Sequence, residues 1–194
     1  MTSMPVPESL PHYLRPGLRL VFVGYNPAIF SAQAGHYYAR PGNVFWRQLN
    51  ASGLVHRDVG ANDDAILMEE AGIGFVDLCC RPTVRAGELT RAEIVDGAQR
   101  LHGELLQSQP RIVVFSGRGI YQHFGRHALQ IPSRILADRP YGEQPERIGA
   151  SVPWVIPSSS GLASRWHRER LDLLRQLAAL LPITGSAAMG PGGG

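Results

Sequence analysis

Cysteine is nearly absent: Cys79 and Cys80 are the only two among 194 residues, and they are adjacent. Neighbouring thiols offer no disulfide framework and fall short of the ligand set of a four-cysteine zinc or iron–sulfur site, so the chain is expected to fold reduced, with no metal and no cofactor. Charge is sparse too. Charged side chains make up 18% of the sequence, and a net charge of +3 with a pI near 9.2 permits an anionic partner without requiring one. No apolar run approaches the ~20 residues that cross a bilayer, and no charged-then-apolar leader opens the chain, so a cytoplasmic protein without membrane contact is expected. No internal repeat is present.

What remains is a chain 44% hydrophobic, enough for one sizeable core. Residues 1–17 are Pro-rich and read as an N-terminal arm, residues 18–184 as a single domain, and the Gly-rich residues 185–194 as a flexible tail. Four apolar runs, Leu18 to Gly24, Gly72 to Leu78, Arg111 to Gly117 and Ser151 to Pro157, alternate with helical patterns near 44–52, 62–70, 90–107, 118–126 and 164–181. Such alternation predicts an α/β fold: three layers, α/β/α, around a mainly parallel four-stranded sheet. Thr90 with Glu93 is a capping-box start for the third helix. Ligands in open α/β sheets bind beyond the carboxyl ends of the strands, which gathers Asn26, Asp77, Gly117 and Ser158 to Ser160 on one rim.

The densest stretch runs from Leu18 to Trp46. An apolar strand breaks at Gly24 and is followed by Tyr25, Asn26 and Pro27; the proline fixes its own φ and pushes Asn26 out of the α region, which stiffens the setting of the Asn26 amide. His36, Tyr37 and Tyr38 follow in a Gly-containing loop, and then Pro41, Gly42 and Asn43, with Asn43 placed to cap a helix. Near the other end stands Pro157-Ser158-Ser159-Ser160.

Gly24-Tyr25-Asn26-Pro27-Ala28, the Gly-His-Tyr-Tyr loop, Pro41-Gly42-Asn43, Phe45-Trp46, Gly72 to Phe75 and Pro157 to Ser160 together resemble the mismatch-specific uracil/thymine-DNA glycosylase family, in the same order over residues 18–181. Ala28 stands where that family generally has Gly, and Tyr25 where a smaller aliphatic residue is common. The resemblance implies a uracil-DNA glycosylase-like fold and a DNA repair enzyme, expected to be a monomer, that acts on double-stranded DNA containing uracil or a mismatch. It implies a catalytic role for Asn26 and the stacking position for Tyr38.

The chemistry of the residues agrees. Asparagine is neither acid nor base, but its carbonyl can aim a water at an anomeric carbon when the leaving group, a uracil anion, departs largely on its own. Backbone N–H groups of the turn from Tyr25 onward can stabilise that anion. A base must leave the duplex to react, and a flat ring such as Tyr38 returns part of the cost. Ser31 is a polar candidate in the same pocket; Asp77, polar at the end of an apolar strand, suits the N3–H of the base. Asp96, on the helix opening at Thr90 and followed by Gly97, is a second catalytic candidate that could take the water's proton. Ser158, Ser159, Ser160 and Gly161 can approach phosphate closely, and Leu162 can wedge into the vacated stack. Arg165, His167, Arg168 and Arg170 open the last helix, where cations oppose the dipole unless an anion is bound; Arg40, Arg81 and Arg85 are weaker rim candidates. A non-catalytic nucleotide- or nucleic-acid-binding α/β module is the alternative, although the GYNPA turn has no phosphate-cradling glycine series. No G-x-S-x-G elbow supports a serine hydrolase.

Overall fold

The computed structural model describes residues 9–160 and 165–182. The central sheet has strands β1 (Leu20–Gly24), β2 (Ile73–Asp77), β3 (Ile112–Phe115), β4 (Gly142–Glu143) and β5 (Val152–Val155), in the order β2-β1-β3-β5-β4. Four are parallel, with Phe22 opposite Phe75 and Val114 and Val114 opposite Trp154. They coincide with the four apolar runs. The fifth, β4, corrects the expected four strands: it pairs antiparallel with β5 through two residues only, too short to carry a hydrophobic period.

The α-helices are α1 (Ile29–Ala34), α2 (Phe45–Asn50), α3 (Leu67–Glu70), α4 (Arg91–Ser108), α5 (Arg118–His127), α6 (Ser133–Ala137) and α7 (His167–Leu180). Strands β1, β2 and β3 are buried on both faces, as parallel strands covered by helices require. Period-two alternation divides their side chains between two cores. Leu20, Phe22, Phe75 and Val114 pack with Phe45, Leu49, Leu174 and Leu177 of α2 and α7. Val21, Val23, Val113 and Phe115 meet Ala98, Leu101, Leu105 and Phe124 of α4 and α5 on the other side.

The expected capping box at Thr90 is present, whereas α2 begins one residue later than expected, with Val44 at its N-cap position and Asn43 just before it. Thr90 Oγ1 accepts the Glu93 N–H (3.2 Å) while the Thr90 N–H donates to Glu93 Oε2 (2.8 Å), and Asn43 Oδ1 accepts the Phe45 N–H (3.0 Å). Gly97 lets the chain after β2 approach α4: a Cβ there would stand 2.1 Å from the Leu78 carbonyl oxygen. The helical pattern near 62–70 divides into a 3-10 turn, Ala61–Asp63, and the short α3.

Candidate active site

A cavity of about 840 Å³ opens at the carboxyl ends of the strands, where the strand order reverses between β1 and β3. Its walls include the turn Gly24 to Ala28, Tyr37 and Tyr38, Asp77 at the end of β2, Ser116 beyond β3, and Ser158 to Ser160 beyond β5.

Asn26 is oriented by two strong acceptors. Its Nδ2 donates to the Arg81 carbonyl (2.9 Å) and to Thr83 Oγ1 (2.8 Å), with the Pro27 carbonyl further off at 3.4 Å. A backbone carbonyl can only accept, so the Arg81 contact fixes which end of the amide is nitrogen. Both N–H groups are thereby occupied and Oδ1 is the end left to accept a further hydrogen bond. Thr83 is itself fixed, since its N–H donates to the Pro27 carbonyl (3.1 Å) and it bridges Ala28.

Tyr38 stacks on Phe45 with ring centroids 3.9 Å apart and planes 10° from parallel, and its hydroxyl donates to Ser116 Oγ (3.3 Å). Its backbone sits at φ 53°, the left-handed region that costs a non-glycine residue about 1–2 kcal/mol. Asp64, wholly buried, holds the strained loop: Oδ2 accepts the Tyr37 N–H (2.9 Å), and Oδ1 meets His36 Nδ1 (3.0 Å) and accepts the Ala65 N–H (2.8 Å).

Asp77 is 5% exposed and its Oδ2 has no hydrogen-bond partner among the described residues. Burial pushes its carboxyl up to about 7, against the pull of the Arg100 charge. A Cβ on Gly24 would lie 2.1 Å from Asp77 Oδ1, so glycine at position 24 is what lets this carboxyl lie over the turn.

The sequence model of the Uracil DNA glycosylase superfamily matches residues 11–181. The chain belongs to that superfamily. Its fold also matches the solution NMR structure of "a putative Uracil DNA glycosylase from Methanosarcina acetivorans", with a TM-score of 0.57 at 20% identity over 88% of this chain and 97% of that one. Membership supports a DNA glycosylase, hence a hydrolase acting on DNA.

Against this superfamily fold, the cavity brings together Asn26, Tyr25, Ser31, Tyr38, Asp77, Ser158, Ser159 and Ser160. Tyr25 sets its ring edge-on to His123, 5.7 Å away. Asp96 is not brought in. It is exposed on α4, where the neighbouring Gly97 packs on Leu78, and it is not among the residues that line the cavity. Gly161, Leu162 and the tail 185–194 lie outside the described residues. Arg165 and Arg168 are exposed, the former over the Trp166 ring at 5.1 Å.

Arg170 departs from the expected basic face. It is fully buried, donates to Gln48 Oε1, and lies 5.5 Å from the Phe45 ring centroid. The i, i+3, i+4 spacing that buries Leu173, Leu174 and Leu177 carries Arg170 inward with them. Burial lowers its guanidinium to about 10, still charged at neutral pH. Arg40 and Arg85 line the mouth, whereas Arg81 is engaged with Glu93. Thr83 and Asp64 are the positioning residues that sequence reasoning passed over, because their partners are distant in the chain. Among the described residues no group of three His, Cys, Asp or Glu side chains could hold a metal, and no helix is long and apolar enough to cross a membrane.

Proposed function

We propose that this protein is a monofunctional DNA glycosylase that flips uracil out of double-stranded DNA, foremost from G·U mismatches, and hydrolyses its N-glycosidic bond to leave an abasic site. Thymine and other damaged pyrimidines are candidate further substrates. The observation that carries this reading is the Asn26 amide, tied by Arg81 and Thr83 so that its carbonyl is left for the cavity.

The extruded base stacks on the Tyr38 ring, which Phe45 supports from behind. The bond between C1′ and N1 breaks with its electron pair going to the base, and the oxocarbenium-like sugar is attacked by a water that Asn26 Oδ1 aims at C1′. The water's proton passes to solvent. Backbone N–H groups of the turn at Tyr25 face the departing anion. A protonated Asp77 offers one acceptor and one donor, matching the N3–H and O4 edge of uracil, and it spares the leaving group a nearby negative charge. Ser158 to Ser160 and the Arg40, Arg85, Arg165 and Arg168 side chains take the phosphates, with Leu162 as the wedge. All 19 basic residues of the chain are arginine, so no lysine ε-amine is present to form a Schiff base with the abasic sugar, which supports hydrolysis without strand cleavage. A monomer in the cytoplasm, nucleoid-associated if bacterial, fits the free thiols of Cys79 and Cys80.

The test is a gel assay on labelled duplexes carrying G·U, G·T or A·U, and on single-stranded U. Strand breaks at uracil, foremost in G·U, are expected after alkali and not before it. No cleavage of any substrate returns the chain to a non-catalytic nucleic-acid-binding module.

A further inference from the structure

Most of the cavity is built from loops at the carboxyl ends of the parallel strands, but one wall comes from elsewhere. Residues 9–15 cross the outer edge of β2, which is the edge strand of the sheet. Tyr13 and Phe75 exchange both backbone hydrogen bonds, at 2.9 and 3.2 Å, in an isolated antiparallel bridge. Gly74 makes room for it, since a Cβ there would lie 2.2 Å from the Tyr13 carbonyl oxygen. A glycine inside a strand often marks such a close approach. Side-chain contacts fasten the arm further: Tyr37 donates its hydroxyl to the Pro11 carbonyl (2.9 Å), His12 Nδ1 meets Glu104 Oε1 (3.0 Å), and Arg15 Nη2 donates to the Met68 carbonyl (2.7 Å).

This path delivers Leu10, 3% exposed, to the cavity wall beside Tyr37. Tyr37 stacks on Phe75 of β2, with ring centroids 5.5 Å apart and planes 26° from parallel, and β2 ends at Asp77, which lines the same cavity. Leu10 therefore stands on the β2 side, the side of Asp77, where an extruded base presents its polar edge and ring substituents.

We propose that Leu10 sets the size of base the pocket accepts, and that the arm is the specificity-determining wall of the site. This rests on the glycosylase reading. An aliphatic side chain cannot contribute to bond cleavage, so its effect is steric: uracil fits under it, and pyrimidines enlarged by a ring substituent or a second fused ring meet it. Each carbon of misfit in an apolar pocket is worth roughly 10- to 200-fold in discrimination.

The experiment measures single-turnover rates of the full chain and its variants on duplexes with uracil, thymine, 5-hydroxymethyluracil or a bicyclic pyrimidine adduct opposite guanine. The readout is the ratio of each enlarged base to uracil, in which leaving-group differences cancel between variants. Leu10→Ala is expected to raise the ratio about tenfold or more for the enlarged bases, Leu10→Val to raise it less, and Leu10→Trp to lower it. Gly74→Ala lies outside the cavity lining and would press on the Tyr13 carbonyl and the Leu18 side chain; in protein that still excises uracil it is expected to move the ratio in the same direction as Leu10→Ala. Ratios within twofold of wild type in Leu10→Val, Leu10→Ala and Leu10→Trp proteins that still excise uracil overturn the proposal and leave the glycosylase intact. A wild type inactive on every duplex overturns both.

Discussion

At the scale of the residue, the site turns on how one amide is held. A primary amide that can flip presents nitrogen or oxygen to a water with similar ease, and only the oxygen can orient the water's lone pair toward the sugar. Arg81 and Thr83 remove that choice for Asn26. Asn26→Ala is expected to lower single-turnover excision at least ~10²-fold while duplex binding survives. Thr83→Val, nearly the same shape without the acceptor, is expected to lower it about tenfold, with Thr83→Ser close to wild type. Equal losses for Val and Ser mean that the hydroxyl does not position the amide. Asn26 is legible in the sequence because its restriction is local, imposed by Pro27. Thr83 is not, because the contact spans 57 positions and no spacing rule connects them.

At the scale of the element, parallel strands that are buried on both faces write themselves into the chain as apolar runs, which is why β1, β2, β3 and β5 could be read directly. Short elements leave no such trace. The six residues of α1, between the Asn26-Pro27 turn and Gly35 at φ 76°, and the two of β4 are shorter than the stretch over which a hydrophobic period can be recognised. The loop carrying Tyr38 is the functional case. Its strain is offset by Asp64, which the sequence presents only as one more polar residue in a helical pattern. Asp64→Ala leaves the buried Tyr37 N–H without its acceptor and is expected to destabilise the protein by roughly 1–3 kcal/mol in urea unfolding. Excision should fall as well, through loss of the Tyr38 platform. In a Tyr38→Ala background the same change should then cost stability but little further activity. Fully additive activity losses would show that Asp64 does not act through Tyr38.

At the scale of the whole molecule, the proton of Asp77 links folding to the proposed reading of the base, and pH can separate the two. The fold buries this carboxyl against Gly24 with Oδ2 unpartnered among the described residues, and its titration is raised to about 7 from the ordinary carboxylate range near 4. Between those two values the native state holds more protons than the unfolded chain, so the Asp77 contribution to stability is fully present below about pH 4 and is lost as pH rises toward 7, beyond which it stays flat. The shift corresponds to roughly 4 kcal/mol between the two plateaus. Asp77→Asn abolishes this pH dependence, so its urea stability relative to wild type should be greater at pH 8 than at pH 5, other groups cancelling in the difference. The rate should follow the same proton. Above pH 7 the ionised carboxylate loses its donor and repels the departing anion, so wild-type excision is expected to decline there. Asp77→Asn, which keeps one donor and one acceptor, should hold its rate across that range. A wild-type profile that rises through pH 7 would instead assign the ionised carboxylate, accepting N3–H alone, to the reading of the base.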